Sequence, residues 1–90
     1  MKIVINKCYG GFRLSDVALT RYRQETGINV PYWEIHRNDP ILVSIVEELG
    51  EDSWGDEARL GVVDIPDDVE WNVEEYDGME WVAEVHRTWA

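Results

Sequence analysis

The sequence predicts a small α+β domain, in which a mainly antiparallel sheet of about three or four strands carries two helices on one face. Three observations predict this class. A short β-branched run opens the chain, two helix-like segments with clear boundaries follow, and the last third alternates apolar and polar residues around a turn. The length of 90 residues suits one domain with a modest core, so we place a single domain at residues 1–90.

The first strand and the first helix are joined by a turn that contains two glycines. Lys2–Asn6 is apolar and β-branched, which indicates a buried strand. Ser15 is a good N-cap, and the helix is expected to run to about Thr26, with Gly27 just beyond its end. Its buried stripe is expected to contain Val17, Ala18 and Tyr22.

The second helix has equally clear boundaries. Asp39 is the expected N-cap, Pro40 the first helical residue, and Gly50 follows the last apolar position. Between the helices, Pro31 excludes a regular helix and favours an extended segment. One wide apolar face of the second helix contains Ile41, Leu42, Ile45, Val46 and Leu49.

The last third of the chain predicts three strands. Arg59–Ile65 is the first of them, and a turn at Pro66 follows it. Val69–Glu75 and Met79–His86 flank Asp77-Gly78, which is a strong signal for a two-residue hairpin turn. Because apolar residues and carboxylates alternate along both strands, we expect the carboxylates of the two strands to share the outward face.

Charge is divided unevenly along the chain. Residues 1–37 contain six basic and three acidic residues, whereas residues 38–90 contain two basic and sixteen acidic residues, for a total net charge of −11. The strongly acidic remainder disfavours binding to anionic lipid surfaces or directly to a nucleic-acid backbone. The basic region of one copy could also attract the acidic region of another, so a homo-oligomer is one of the expected assemblies.

Catalytic and metal-binding motifs are weak. The single cysteine, Cys8, excludes an internal disulfide, and no spacing brings it together with His36 or His86. The aspartates near residue 65 match no EF-hand spacing. The sequence has no signal peptide and no run of about 20 apolar residues, which predicts a cytoplasmic protein. Because no catalytic or metal-ligand spacing is found, the sequence also predicts that the protein is not an enzyme and holds no metal or cofactor.

A dense carboxylate array is the first candidate site. Such an array can imitate the phosphates of a nucleic acid and occupy a basic groove on another protein. The carboxylates we assign to this partner-binding surface are Glu47, Glu48, Glu51, Asp52, Glu70, Glu74, Glu80 and Glu84. The alternative is that these residues only keep a small protein soluble.

The glycine turn is the second candidate site. A strand, a glycine turn and a helix N-terminus can bind an anion through backbone N–H groups, and flanking cations and aromatic rings would suit a nucleotide. The residues of this alternative ligand site are Lys7, Tyr9, Gly10, Gly11, Phe12 and Arg13. The competing interpretation is a tight structural connection, since no established phosphate-loop motif is present.

Three segments resemble a family of short phage and prophage proteins: the opening MKIVINKCYGGF, the middle DPILV to EELG, and the ending IPDDVEWNVEEYDGMEWVAEVHRTW. Together they cover well over half of the chain. The resemblance implies a small phage-encoded accessory protein in the cytoplasm of a bacterial host. Small acidic phage proteins often act on host nucleic-acid enzymes or defence systems, so it also implies a host protein as partner.

Overall fold

The computed structural model describes residues 1–85. The strands are β1 (Lys2–Asn6), β2 (Leu60–Asp64), β3 (Trp71–Tyr76) and β4 (Met79–Glu84). The helices are α1 (Asp16–Thr26) and α2 (Pro40–Leu49), and short 3₁₀ turns cover Tyr32–Glu34 and Gly50–Ser53. The predicted α+β class is therefore confirmed. His86, which the sequence placed at the end of the last strand, lies outside the described residues.

The four strands form two separate antiparallel pairs rather than the single sheet that the sequence predicted. β1 pairs with β2, from Lys2 opposite Asp64 to Asn6 opposite Leu60, and β3 pairs with β4. On the other edge of β1, the N–H of Val4 donates to the carbonyl oxygen of Arg37 at 2.8 Å. Because the loop at Arg37 and the side chain of Glu80 occupy that edge, the hairpin cannot extend the sheet.

The hydrophobic core lies between the helices and the β1–β2 pair. α2 contacts both of these strands, and α1 packs against α2. Burial of Ile3, Val4 and Ile5 confirms the prediction that β1 is buried. The buried residues that α2 supplies are Leu42, Val43, Ile45 and Val46.

The first helix buries a narrower stripe than expected. Ala18 and Tyr22 are buried, but Val17 is 61% exposed, so its assignment to the stripe is wrong. A helix turns about 100° per residue, which puts Val17 well away from the direction shared by Ala18 and Tyr22. The predicted helix ends are correct: Ser15 Oγ accepts from the N–H of Ala18 at 3.1 Å, and Gly27 has a left-handed φ of 71°.

Asp39 joins the two helices through one carboxylate. Its Oδ1 accepts from the N–H of Ile41 at 2.8 Å and caps α2, while its Oδ2 accepts from the Tyr22 hydroxyl of α1 at 2.7 Å. Burial of the phenol, and secondarily this hydrogen bond, raise the pKa of Tyr22 to about 12.

We expect this raised pKa to make stability fall in strong alkali. Below pH about 10 the Tyr22 phenol is neutral in both the folded and the unfolded protein. As the pH rises further, the phenol loses its proton in the unfolded protein first, because its pKa there is the lower of the two. The free energy of unfolding should therefore drop by about 1.4 kcal/mol per pH unit between pH about 10 and 12. Urea denaturation across this range measures the slope, and a Tyr22→Phe variant should lack this contribution. An equal slope in the variant would contradict the assignment.

Candidate functional site

The β3–β4 hairpin is anchored to β1 by a buried polar network around Asn6. The Asn6 side chain is fully buried, and its amide donates to the carbonyl oxygens of Cys8 at 2.7 Å and Gly78 at 2.8 Å. Its side-chain oxygen accepts from the backbone N–H of Arg59 at 2.8 Å. Since its amide and its carbonyl oxygen both have partners inside the protein, Asn6 fixes the hairpin turn beside the end of β1.

An ion pair between Arg37 and Glu80 forms the other half of this anchor. The Arg37 guanidinium donates to both carboxylate oxygens of Glu80, at 2.6 and 2.8 Å, and the N–H of Asn6 donates to Oε1 at 2.8 Å. The Glu80 side chain therefore occupies the edge of β1 that does not pair with β2. The Glu80 side chain is only 8% exposed. Glu80 was predicted to belong to the exposed acidic surface, but the structure places it in the interior.

The same guanidinium stacks on an aromatic ring of the predicted ligand site. The Arg37 guanidinium carbon lies 3.6 Å from the centroid of the Phe12 ring, within the range of a cation–π contact. Phe12 also packs, half-buried, against the hydrophobic core. The aromatic face that the sequence offered to a planar ligand is therefore used inside the protein.

The glycines of the predicted ligand turn are packed against two other backbone segments. A Cβ on Gly10 would lie 1.7 Å from the carbonyl oxygen of Glu57. A Cβ on Gly78 would lie 2.5 Å from the carbonyl oxygen of Tyr9 and 2.7 Å from the nitrogen of Gly11. Glycine is therefore needed here so that three stretches of backbone can meet, which favours the structural interpretation of this turn.

The flanking residues of the turn reach different parts of the surface. Lys7 lies across Gly61 of β2, where a Cβ would meet its Cε at 2.5 Å. The stem of Arg13 lies across Gly55, where a Cβ would meet its Cγ at 2.4 Å. Tyr9 is exposed. The two predicted cations thus lie against different glycines, one on β2 and one in the loop that precedes it.

Of the four carboxylates near the end of α2, two form ion pairs and two form none with the residues that the structure describes. Glu47 accepts from Lys2 Nζ at 2.9 Å, and Glu48 accepts from Arg21 Nη2 at 2.5 Å. The hydrogen bond and charge of Glu47 raise the pKa of Lys2. Glu51 and Asp52, in the 3₁₀ turn that follows, are exposed. We call these four residues the helix-end group.

Within residues 1–85, three ion pairs between side chains connect the basic beginning of the chain to its acidic remainder, and the N-terminal ammonium of Met1 adds contacts to Asp64 and Asp67. The three side-chain pairs are Lys2 with Glu47, Arg21 with Glu48, and Arg37 with Glu80. The first two are solvent-exposed and contribute little to stability, because water and salt screen them, whereas the third is largely buried. Part of the charge asymmetry read from the sequence thus joins elements of the fold.

The hairpin register separates the carboxylates that the sequence placed on one face. The two-residue turn pairs Tyr76 with Met79, so Glu74 lies opposite Trp81 and Glu75 lies opposite Glu80. Residues directly opposite each other in an antiparallel pair share a face. If the alternation of β3 is extended back to Glu70, this residue lies on the same face as Glu74. Glu84 lies on the opposite face, together with Glu80. The prediction of one shared carboxylate face is wrong for this reason.

The face that contains Glu74 is exposed and partly aromatic. We call it the outer hairpin face. Its members are Asn72, Glu74, Tyr76, Met79, Trp81 and Ala83. Tyr76 is 71% and Trp81 44% exposed. Tyr and Trp are enriched at protein interfaces, where they often dominate the binding energy, so these two exposed rings make the face a candidate for contact with a partner.

Asn6 and Arg37 are structural anchors that were not predicted from the sequence. An asparagine ending a β-branched run is a polar residue at a buried position, and such a residue needs hydrogen-bond partners. That signal could have identified Asn6. Arg37 carries no comparable signal, because its partner Glu80 is 43 residues away and their meeting depends on the tertiary fold.

Within residues 1–85, no group of three or more His, Cys, Asp and Glu side chains has an arrangement that could hold a metal ion. No helix in this range is long and apolar enough to cross a lipid bilayer. Comparison of the chain with protein-family models, curated proteins and solved structures gives no match.

Proposed function

We propose that this chain is a small acidic accessory protein that binds a basic surface of a bacterial host protein and acts without catalysis. The main observation behind this proposal is the negative charge of residues 60–85, which include the β3–β4 hairpin. Residues 60–85 contain nine carboxylates and no lysine, arginine or histidine. This concentration of one sign favours fast, salt-sensitive association with a basic partner.

The exposed residues divide the proposed surface into two contributions. Glu51 and Asp52 of the helix-end group, and Glu74 of the outer hairpin face, supply exposed charge. Tyr76 and Trp81 supply apolar area that a partner would bury. Glu80 is left out of this surface, because its carboxylate is engaged by Arg37 and by the backbone of Asn6.

The resemblance to phage and prophage proteins supports the choice of partner. A phage-encoded protein works in the cytoplasm of its host, where nucleic-acid enzymes and defence factors offer basic grooves. The carboxylates would occupy such a groove in place of phosphates.

We expect reversal of one charge on the outer hairpin face to weaken binding. Glu74→Lys should reduce affinity for the partner at least about tenfold, because a lysine would face the basic surface. The control is Glu34→Lys, which makes the same change of charge in the 3₁₀ turn at Tyr32–Glu34. Capture from a bacterial lysate at about 0.1 M salt, with quantitative mass spectrometry, compares the two variants with the wild type.

The comparison separates a specific surface from a general charge effect. The proposal predicts loss of the captured protein with Glu74→Lys and retention with Glu34→Lys. Equal loss with both variants, or retention with both, would contradict it. Glu80→Lys is unsuitable for this purpose, since it would break the hairpin anchor and unfold part of the protein.

A further inference from the structure

Arg13 and Arg23 differ in their partners from Arg21 and Arg37, the other two arginines of residues 1–37. Lys2, Arg21 and Arg37 are paired with carboxylates. Within residues 1–85, neither Arg13 nor Arg23 forms an ion pair with a carboxylate, although the chain carries 19 acidic residues. Two guanidinium groups without a carboxylate partner in so acidic a protein are available to an anion from solution.

Both arginines line the same cleft. It has a volume of about 420 Å³ and lies between α1 and the segment that leads into the 3₁₀ turn at Tyr32–Glu34. Tyr32 and Trp33 line it as well, with their rings 5.0 Å apart and nearly perpendicular. Trp33 is 70% exposed, although aromatic rings of this size are usually well buried. The volume is within the range of small-molecule sites.

The two arginines are held in place by contacts outside the cleft. The stem of Arg13 lies across Gly55, and its carbonyl oxygen accepts from the N–H of Gly55 at 2.8 Å. Arg23 Nη2 donates to the carbonyl oxygen of Val30 at 3.3 Å, which tethers this side chain to the segment that carries the aromatic residues. The contacts of Arg13 use none of its five guanidinium N–H donors, and the bond from Arg23 to Val30 uses one, so both groups keep donors for a ligand.

The combination of side chains identifies the chemistry of the ligand. Guanidinium groups bind phosphate or carboxylate oxygens through paired hydrogen bonds, and an exposed indole offers a flat surface for stacking. One acidic residue, Asp16, also lines the cleft and could accept a hydrogen bond from a hydroxyl group. A planar ring, an anionic group and hydroxyl groups occur together in nucleotides.

We propose that this cleft binds a mononucleotide, with the base stacked against Trp33 and the phosphate held by Arg13 and Arg23. The ligand is a free nucleotide rather than a nucleic-acid strand, because the net charge of −11 repels a long polyanion. This site differs from the glycine turn that the sequence suggested: it shares Arg13 with that turn but not Gly10, Gly11 or Lys7. It is also independent of the proposed acidic surface.

Titration with adenosine monophosphate tests the proposal directly. Binding is followed by two-dimensional NMR of the full chain, in which the indole N–H of Trp33 gives its own signal. We expect a saturable shift of this signal. Trp33→Ala and the double variant Arg13→Gln/Arg23→Gln should each weaken binding at least about tenfold, as measured by calorimetry. Inorganic phosphate should compete weakly, because it lacks the stacking ring.

Two control variants make each outcome decisive. Lys7→Gln removes a cation from the predicted glycine-turn site, and Arg59→Gln removes an arginine that does not line the cleft; both should bind like the wild type. Absence of any shift at millimolar nucleotide would overturn the proposal. Binding that survives both cleft variants but is lost in Lys7→Gln would overturn it in favour of the glycine turn. The folded spectrum of each variant shows that lost binding is not lost structure.

Discussion

Asn6→Leu should destabilise the protein by about 4 kcal/mol. Leucine has nearly the same size but makes no hydrogen bonds, so the carbonyl oxygens of Cys8 and Gly78 and the N–H of Arg59 would lose their partner. Each buried polar group left without a partner costs about 1–3 kcal/mol. Small domains are stable by only about 5–15 kcal/mol, so the variant would be close to unfolding at room temperature.

Urea denaturation measures this loss, and Asn72→Leu is the matched control. Asn72 lies in β3 and is exposed, so the same substitution should change the free energy of unfolding by no more than about 0.5 kcal/mol. A loss below about 1 kcal/mol in Asn6→Leu would show that the network around Asn6 does not anchor the hairpin.

Gly10→Ala should destabilise the protein by about 3 kcal/mol, the second large effect we expect. The added methyl group would lie 1.7 Å from the carbonyl oxygen of Glu57 and 2.6 Å from its carbonyl carbon. Those are backbone atoms, so a rotation of a side chain cannot relieve the overlap. Glu57 itself has a left-handed φ of 62°, and its carbonyl oxygen accepts from the Cys8 thiol at 3.0 Å. The segment therefore has little freedom to move away.

Gly27→Ala is the control for this second prediction. Gly27 ends α1 with a φ of 71°, and nothing lies within 4 Å of the position that a Cβ would take. The substitution should therefore cost only the conformational penalty of a left-handed alanine, about 1 kcal/mol. Thermal unfolding of both variants separates the two effects. Equal losses in Gly10→Ala and Gly27→Ala would mean that close packing against Glu57 is not what requires glycine at position 10.

Local signals in the sequence predicted the elements of the fold well. Ser15, Asp39 and Gly27 act as caps where the sequence places them, because capping depends on a few neighbouring residues. The arrangement of the strands was less accessible. Arg37 and Glu80 occupy the edge of β1 where a further strand would otherwise pair. Because these two residues are far apart in the sequence, no local pattern predicts that they meet there.

The candidate surface was predicted in composition but not in geometry. The two-residue turn at Asp77-Gly78 was read correctly, and it already determines that Glu74 lies opposite Trp81 rather than beside Glu80. A two-residue turn fixes this register, so the sequence alone is enough to predict which carboxylates share a face. The burial of Glu80 could not be predicted in this way, because it depends on Arg37 meeting it across the fold.

The salt dependence of binding between purified protein and its captured partner is the most direct test of the acidic-surface proposal. We predict that the association rate falls at least about tenfold between about 0.05 and 0.5 M salt, and that Glu74→Lys reduces it at low salt. Stopped-flow fluorescence measures this rate, with Glu34→Lys as the control. An association rate that is unchanged across this range, and equal in the wild type and Glu74→Lys, would contradict the proposal that the carboxylate surface directs binding.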